Sequence, residues 1–384
     1  MGSSVSETKG LSSAAAAADI SPDDTEFSRL ALDLATESVG LVSPNPLVGC
    51  VIVSADGAVV GEGTYVYDKV THAEVSALDQ AGERARGGTA YVSLEPHDHT
   101  GKTPPCTDVL IDAGIARLVC PIEDPNPLVS GRGFERLRGA GIDVVTGILA
   151  DAATRLNEKF ICWHKKGRPF VHLKLAMSLD GRISLNNSVS TAISGDEAIA
   201  RVHEIRHEHD AILIGSNTAV VDDPNLTDRS GKSRRRPLVR IVLDNRLRIP
   251  LISKLVTSAR STPTLVFTNS RDAEAAAALR DHGVEVVASD KGARDLKWVL
   301  AELKDRGLQS VLVEGGSEMA GAFIDARLAD KVTVIVSPLV IGGPRAAVAV
   351  AGNGVAEVDS ALRLKDITVT RHGDDIEITG YPEQ

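Results

Sequence analysis

Thr71-His72-Ala73-Glu74 opens the stretch of sequence that decides the fold of the first half of this chain. Apolar residues recur at helical spacing from Thr71 to Arg86, so the sequence predicts a helix there with Thr71 as its N-cap. Two nearby segments carry further metal-binding residue types, Leu94-Glu95-Pro96-His97-Asp98-His99 after a predicted strand and Pro104-Pro105-Cys106 before a predicted helix. This alternation of helices and strands indicates an α/β domain with potential metal ligands at the ends of its elements.

These segments have the residue types of a catalytic zinc site. Such a site uses three nitrogen or sulfur ligands and leaves a fourth position for water, whose pKa the metal lowers to ~7. A carboxylate that does not bind the metal must carry the protons, and His-x-Glu places Glu74 beside His72, as in zinc nucleobase deaminases. Each piece alone has an ordinary explanation, since His-x-Glu arises by chance and a cysteine before a helix is usually a small buried apolar residue. Their order along the chain favours the zinc site.

Composition bounds the class of protein. A chain of 384 residues suits two domains, the net charge of −10 argues against general nucleic-acid binding, and no apolar run reaches the ~18 residues of a membrane helix. The four cysteines are too scattered for a disulfide scaffold, which predicts a reducing, cytoplasmic location. The run Arg234-Arg235-Arg236 offers local positive charge for a phosphorylated substrate, or is an ordinary solvated loop.

Strands and helices alternate in both halves, which indicates two α/β domains. In the first half we predict strands at 48–53, 58–63, 89–94, 117–121 and 143–146 and helices at 27–38, 71–86, 107–114 and 132–139. In the second half we predict strands at 171–177, 211–215, 239–243, 264–268, 284–288, 310–313 and 331–336 and helices at 196–209, 272–281, 296–305 and 318–328. The predicted division is a disordered Ser- and Ala-rich tail over 1–25, a first domain over 26–149, a polar helical linker over 150–168 and a second domain over 169–384.

The second half offers weaker signals of its own. Glu314-Gly315-Gly316-Ser317 forms a glycine-rich turn between a predicted strand and a helix, where backbone N–H groups can approach an anion. Ile214-Gly215-Ser216-Asn217-Thr218 is a second candidate of the same kind. Neither has the Gly-x-Gly-x-x-Gly spacing of a dinucleotide-binding domain, so a plain tight connection explains each turn equally well.

Several segments of the first half together resemble the deaminase domain of the bifunctional deaminase–reductase family of riboflavin biosynthesis. They are Ser43–Cys50, His72–Glu74, Glu95-Pro96, Gly101–Cys106, Asp124–Pro127 and Gly131–Gly133. The resemblance implies a cytidine-deaminase-like three-layer domain in which one histidine and two cysteines hold Zn²⁺ and a glutamate shuttles protons. His72, Glu74 and Cys106 fall on matching positions.

One position departs from the family pattern. His97 stands where the family has a cysteine after Glu-Pro. Imidazole is an acceptable zinc ligand, so we predict metal ligation by His72, His97 and Cys106, with Glu74 as the catalytic residue. Exchanging a thiolate for a neutral ring raises the net charge of the site, which favours a more acidic bound water and weaker metal binding. His99 is an alternative ligand, and a damaged, zinc-free domain is an alternative state.

The second half resembles the reductase domain of the same family at Lys174–Arg182, Asp222–Thr227 and Glu314–Gly316. This resemblance implies a dihydrofolate-reductase-like α/β domain that uses NADPH. The cofactor-binding residues that it implies are Ala176, Ala192, Thr218, Asp222, Asn245, Gly316, Ser317, Glu318, Met319, Ala320, Gly321 and Ala322. The substrate-binding residues that it implies are Ser190, Arg206, Leu226, Arg229 and Glu314. Ala192 replaces an aromatic residue common in the family, so nicotinamide packing is expected to differ there.

Three of these residues have clear physical roles. Arg206 and Arg229 suit a ribose phosphate because the guanidinium fork matches phosphate oxygens, although without the family each would pass for a surface arginine. Glu314 would hydrogen-bond a pyrimidine amide or amine, or would cap the following helix.

The resemblance implies a bifunctional enzyme. Zinc-dependent hydrolysis would remove the amino group at C2 of 2,5-diamino-6-(ribosylamino)pyrimidinone 5′-phosphate, and NADPH would then reduce the ribosyl group to ribityl. The expected partner is this small phosphorylated pyrimidine, with no nucleic acid and no membrane, and the chain is expected to form a homo-oligomer. A monofunctional reductase with a zinc-free, structural first domain is the alternative, and a non-enzymatic pyrimidine or nucleotide binder is the third possibility.

Overall fold

The computed structural model of the chain describes residues 21–101, 103–186, 188–189 and 191–383. Its first helix, α1, spans Pro22–Thr36 with Ser21 as the N-cap. The Ser21 hydroxyl accepts the Asp24 N–H and the Asp24 carboxylate accepts the Ser21 N–H, which forms a capping box. Because this box and Pro22 start the helix, the predicted tail over 1–25 is wrong for residues 21–25. The rest of that prediction lies outside the described residues.

The first domain is built on one five-stranded sheet. Its strands are β1 (Gly49–Val53), β2 (Val59–Thr64), β3 (Thr89–Val92), β4 (Arg117–Cys120) and β5 (Asp143–Thr146). Their order is β2-β1-β3-β4-β5, with β1 antiparallel to both of its neighbours and β3, β4 and β5 parallel. The helices that accompany α1 are α2 (Ala73–Ala81), α3 (Cys106–Asp112) and α4 (Arg132–Gly139).

Side chains of β1 point alternately into two cores, as the two-residue period of a strand requires. Cys50 and Ile52 pack against α2, α3 and α4 in one core. Val51 and Val53 pack toward α1 on the opposite face. The domain therefore has helices on both faces of its sheet, which confirms the predicted three-layer fold.

The second domain is built on a nine-stranded sheet. The strands of this domain are β6 (Phe170–Ser178), β7 (Arg182–Ser184), β8 (Ala211–Gly215), β9 (Val239–Leu243), β10 (Thr264–Thr268), β11 (Glu285–Ala288), β12 (Ser310–Val313), β13 (Lys331–Ser337), β14 (Ala347–Val348), β15 (Leu364–His372) and β16 (Asp375–Pro382). The order of the large sheet is β11-β10-β9-β8-β12-β6-β13-β16-β15, and β7 pairs with β14 separately. All strand pairs of the large sheet are parallel except those made by β16.

Helices cover both faces of the large sheet. They are α7 (Asp196–His207), α8 (Ser216–Val221), α9 (Lys254–Thr257), α10 (Ala273–Asp281), α11 (Leu296–Asp305) and α12 (Ser317–Asp325). Helices α11 and α12 pack into one core, and α8, α9 and α10 pack into the core on the opposite face. Short 3-10 helices occur at Tyr67–Lys69, Gly82–Ala85 and Val358–Ser360. No helix within the described ranges is both long and apolar enough to cross a membrane.

The segment between the domains forms two helices, α5 (Ala150–Leu156) and α6 (Glu158–Lys166). Asn157, between them, ties the segment to the first domain: its amide accepts the Leu47 N–H at 2.9 Å and donates to Leu47 O at 2.9 Å. At the other end, Arg168 pairs with the buried carboxylate of Asp330 at 2.6 Å. The segment is thus packed against both domains.

Candidate zinc centre and reductase cleft

Helix α2 begins at two of the predicted site residues, His72 and Glu74, and lies directly on β2. A Cβ at Gly61 would stand 1.9 Å from Ala77 O, so only glycine permits this approach. His72 is the N-cap of α2, with extended backbone (φ −75°, ψ 156°). Thr71, the predicted N-cap, is wrong by one residue, because its hydroxyl donates to Lys69 O at 3.1 Å instead.

Three potential metal ligands meet near the amino ends of α2 and α3. The ligand atoms of His72, His97 and Cys106 all lie within 4.8 Å of one another. The ring centroids of the two histidines are 4.7 Å apart. Ligand atoms around one tetrahedral zinc ion lie roughly 3.5 Å apart, so small side-chain movements would bring these donors to binding distance. The donor set fits zinc.

His99 stays outside this cluster. Its side chain is exposed, and its ring centroid is 5.0 Å from that of His97. The structure therefore brings His97, not His99, to the other two donors. Burial, followed by the nearby His72 and His99, lowers the pKa of His97 to about 4. His97 is thus a neutral imidazole at pH 7, which is the form that binds a metal.

The Glu74 carboxyl lies beside the cluster and is only 3% exposed. Its Oε2 has no hydrogen-bond partner among the described residues, while the Cys106 thiol bonds to the carboxyl group. Burial raises the pKa of Glu74, and burial together with Glu74 raises the pKa of Cys106 well above its usual value. A buried, unpartnered carboxylate oxygen next to three metal donors suits a group that takes and gives protons.

Glu95 follows β3 and is buried, and sequence reasoning quoted it only as part of a family segment without giving it a role. Its carboxylate accepts three backbone N–H groups, from Asp124 at 3.0 Å, Gly131 at 2.9 Å and Gly133 at 2.9 Å. These bonds fasten the 124–133 loop to the segment that carries His97. An acidic residue before a proline at a strand end is a weak signal, and only the close approach of three N–H groups reveals its role.

The two predicted glycine turns follow the carboxyl ends of β8 and β12, which are neighbours in the sheet. Open α/β sheets bind ligands at this edge. A Cβ at Gly315 would stand 2.4 Å from Met319 Cβ, and one at Gly215 would stand 3.3 Å from Met319 Cε. Thr218 Oγ1 lies 3.9 Å from the position of a Cβ at Gly316. The structure thus brings Thr218, Gly316 and Met319 together between the two predicted glycine turns.

A largely buried cluster of charges lies at the same edge. Arg206 donates from Nε to Glu314 Oε1 at 2.7 Å and from Nη2 to Oε2 at 2.9 Å, while its Nη1 donates to Thr227 O at 3.2 Å. Lys174 Nζ, which sequence reasoning passed over as a site residue, stands 4.0 Å from Glu314 Oε2. Burial pushes the pKa of Glu314 upward, but the two cations more than offset this and hold it below its usual value. Glu314 is therefore an ion-pair partner and not a helix cap.

The remaining residues predicted for this site differ in exposure. Ala192, Asp222, Arg229 and Glu318 are exposed, Ala176, Asn245, Ser317 and Ala322 are partly buried, and Leu226, Ala320 and Gly321 are buried. The Leu226 side chain belongs to the core, and a Cβ at Gly321 would stand 2.0 Å from Ala351 O. At Leu226 and Gly321, therefore, a ligand would contact backbone groups and not side chains. Ser190 lies outside the described residues.

A three-layer domain with a buried glutamate beside a His/His/Cys cluster has the parts of a zinc-dependent deaminase. The second domain has two glycine-rich turns and a charge cluster at the carboxyl edge of its sheet, where open α/β sheets bind ligands. Residues 21–122 match the model of the cytidine and deoxycytidylate deaminase zinc-binding region, and residues 169–378 match that of the RibD C-terminal domain. The chain belongs to the RibD family of bifunctional deaminase–reductases of riboflavin biosynthesis. The predicted folds and the predicted bifunctional enzyme are confirmed.

Relatives and solved structures cover most of the chain. The riboflavin biosynthesis protein RibD of Aquifex aeolicus is 39% identical over 92% of this chain and 97% of its own length. That of Escherichia coli K12 is 39% identical over 83% of this chain and 89% of its own. Acinetobacter baumannii RibD (form 1) superposes with a TM-score of 0.84 at 36% identity, covering 94% of this chain and 99% of its own. The deaminase/reductase of Thermotoga maritima superposes with a TM-score of 0.83 at 35% identity and the same coverage.

Proposed function

We propose that the chain first deaminates and then reduces one phosphorylated pyrimidine. The first step hydrolyses the amino group at C2 of 2,5-diamino-6-(ribosylamino)pyrimidinone 5′-phosphate and releases ammonia, and the second converts the ribosyl group to ribityl. The convergence of His72, His97 and Cys106 beside Glu74 carries this proposal. The Thermotoga maritima relative supports the choice of substrate, since it is named a diaminohydroxyphosphoribosylaminopyrimidine deaminase and a 5-amino-6-(5-phosphoribosylamino)uracil reductase.

In the deaminase step His72, His97 and Cys106 would hold Zn²⁺. When bound, the metal supplies Lewis-acid activation of a water molecule for attack on C2. Glu74 takes the proton that the attacking water loses and delivers it to the departing amino group. Its burial suits this task, because a raised pKa makes the carboxylate a stronger base toward the attacking water and keeps the carboxyl group protonated closer to neutral pH, ready to deliver that proton to the amine.

In the reductase step Glu314 would accept hydrogen bonds from pyrimidine N–H groups, and Arg206 would orient it through the two-point ion pair. All three guanidinium nitrogens of Arg206 are already bonded, so the exposed Arg229 is the better placed of the two arginines for the ribose phosphate. NADPH would supply the hydride. The phosphates of NADPH would accept hydrogen bonds from backbone N–H groups of the turn before α12. Gly316 is the N-cap of this helix and has no side chain that could cap these groups.

A homo-oligomer remains part of the proposal. Strand β15 lies at the edge of the nine-stranded sheet, and Val369 on it is 66% exposed. Ile376, on the same face of β16, is 43% exposed. An exposed edge strand with apolar side chains favours pairing with another chain. Analytical ultracentrifugation should therefore show an assembly that the Val369→Lys variant weakens.

The proposed domain division keeps 26–149 for the deaminase domain, extended to begin at Ser21. Helices α5 and α6 form the 150–168 linker, and 169–384 is the reductase domain.

A reducing, cytoplasmic compartment is proposed because all four cysteines are buried and form no disulfide bond. These cysteines are Cys50, Cys106, Cys120 and Cys162. Non-reducing electrophoresis of protein extracted under thiol-blocking conditions tests this assignment, and disulfide-linked species would argue against it.

An assay of the purified chain with zinc, NADPH and the diaminopyrimidine substrate tests the proposed function. Ammonia release followed by NADPH oxidation is the expected result, and the absence of both rejects it. The unusual ligand His97 favours one second candidate, a monofunctional reductase with a zinc-free first domain. Zinc far below one equivalent, with NADPH oxidation intact on the deaminated substrate, would establish that alternative.

A further inference from the structure

Two of the three consecutive arginines of the reductase domain, Arg235 and Arg236, contact the deaminase domain, contrary to the solvated loop that their sequence also allowed. Arg234 anchors the run within its own domain, donating to His207 O at 2.8 Å and His209 O at 2.6 Å. Arg236 donates to Ser43 Oγ at 2.9 Å, and Ser43 Oγ donates to Asp210 at 2.9 Å. Arg235 therefore lies between two arginines whose side chains are both held by hydrogen bonds.

Arg235 holds two separate segments of the deaminase domain. Its guanidinium donates to Ser43 O at 2.8 Å, and its backbone N–H donates to Gly40 O at 2.9 Å. Its guanidinium carbon also stacks 3.6 Å from the ring centroid of Tyr67, and its Nε lies 3.6 Å from Asp68 Oδ1. A planar guanidinium can stack on an aromatic ring and donate at its rim simultaneously, which a lysine cannot do.

Both segments lead to the same zinc-ligand candidate. Tyr67 belongs to the 3-10 helix that ends at Lys69, and only Val70 and Thr71 separate that helix from His72. Val70 takes the left-handed conformation at φ 54°, which fixes the direction in which the chain enters His72.

The other segment reaches His72 through side chains. Asn45, two residues after Ser43, donates from Nδ2 to the Tyr65 hydroxyl at 2.6 Å. The Tyr65 ring centroid lies 5.2 Å from that of His72. Arg235 thus secures both the backbone entry to His72 and the ring that packs on it.

We propose that Arg235 is a positioning residue of the deaminase site, supplied by the reductase domain. It contacts none of the reacting groups and acts by holding the 40–45 and 67–69 segments that orient His72. The inference rests on the proposed deamination for its activity readout. Catalytic and metal-binding groups must be held to within ~0.5 Å, and a misplacement of ~1 Å can lower a rate on the order of 100-fold.

Four single variants and one double variant of the zinc-loaded chain test this. Arg235→Ala removes every side-chain contact, Arg235→Lys keeps the charge, and Tyr67→Leu removes the stack from the deaminase side. Arg271→Ala is the matched control, since that arginine is 93% exposed and forms an ion pair with Asp290, whose side chain is 97% exposed. The measurements are ammonia release, NADPH oxidation on the deaminated substrate, and the rate at which a chelator removes zinc.

We expect Arg235→Ala to lower kcat/KM for ammonia release by at least ~10-fold and to speed zinc removal, with NADPH oxidation within twofold of wild type. Arg235→Lys should recover only part of the loss, and Arg235→Ala combined with Tyr67→Leu should be little worse than either change alone. The control should match wild type in all three measurements.

Two results would overturn the proposal. One is ammonia release and zinc removal at wild-type rates in Arg235→Ala, and the other is an equal fall of both activities with a lowered Tm, which marks a purely structural contact. If the wild-type chain releases no ammonia from the substrate, the proposed function fails instead. The chelator rates of the variants then still decide the role of Arg235.

Discussion

Arg206 and Glu314 form a largely buried two-point ion pair at the carboxyl edge of the nine-stranded sheet, with Lys174 4.0 Å from the same carboxylate. Two cations thus share one carboxylate, and all three side chains are at most 15% exposed to solvent. Removing the anion would leave both cations without the carboxylate that they share, and breaking a buried pair in this way is strongly destabilising. The cluster therefore couples the stability of this domain to its site.

The Glu314→Gln variant should lose reductase activity and stability together. We expect the free energy of unfolding of the reductase domain to fall by about 3 kcal/mol. We expect NADPH oxidation on the deaminated substrate to slow roughly 10- to 100-fold, since Arg206 loses the partner that fixes it. Ammonia release should stay within twofold of wild type. Glu302→Gln, which breaks a more exposed pair with Arg306, is the control, and equal effects from both variants would contradict the assigned role.

His97→Ala should empty the zinc site, whereas His99→Ala should not. Only His97 brings a ring nitrogen to the other donors, so its loss should weaken zinc binding by more than ~100-fold, given that outer-shell changes already cost 10- to 100-fold. His97→Cys should keep zinc, because it supplies the second thiolate typical of the family. Metal analysis after dialysis against a weak chelator checks all three variants. Loss of zinc from His99→Ala alone would reverse the assignment.

Most residues of the zinc site could be predicted from the sequence, because the patterns that indicate them involve residues close together in the chain. His72 and Glu74 share one helix start, and spacing alone fixes their proximity. The predicted helix over 71–86 ended too late, because Gly82 takes φ 53° and the chain continues as a 3-10 turn. The meeting of His97 with Cys106 depends on a loop after β3, which no periodicity describes.

Features that depend on tertiary contacts could not be predicted from the sequence. The hairpin of β15 and β16 escaped prediction because β15 is mostly exposed, so charged and apolar residues are mixed along it. Lys174 was read only as part of a family segment, since nothing local shows that it faces Glu314. The Arg234–Arg236 run is another example, because its meaning depends on the deaminase domain lying against it.

Asp124 should make the stability of the deaminase domain depend on pH. Burial, and to a lesser degree Glu95, raises its pKa to about 6, against an ordinary value of 3.8. The folded state therefore binds a proton more tightly than the unfolded state, so this group lowers stability as the pH rises from about 4 to about 6. The full effect is roughly 3 kcal/mol.

The Asp124→Asn variant should remove that pH dependence, because the amide oxygen can still accept the Asn126 N–H but cannot ionise. Denaturant unfolding at pH 4, 5, 6 and 7 compares it with wild type. We expect the variant to gain stability relative to wild type as the pH rises through about 6. Asp290→Asn, at a 97% exposed side chain, is the control, and identical pH profiles for all three proteins would show that Asp124 ionises normally.

Glu74→Gln should separate proton transfer from metal binding. The amide keeps the size of the side chain and can still bond to Cys106, but it cannot take a proton from water and pass it to the leaving amine. The rate of ammonia release should fall on the order of 10²- to 10⁴-fold, which is the usual contribution of a general acid–base group to a reaction rate. Zinc content should stay at one equivalent, because Glu74 is not among the three clustered donors. NADPH oxidation on the deaminated substrate should be unchanged, which excludes general misfolding. A variant that lost its zinc, or that deaminated at the wild-type rate, would show that Glu74 serves the site as a ligand or as packing and not as the proton shuttle.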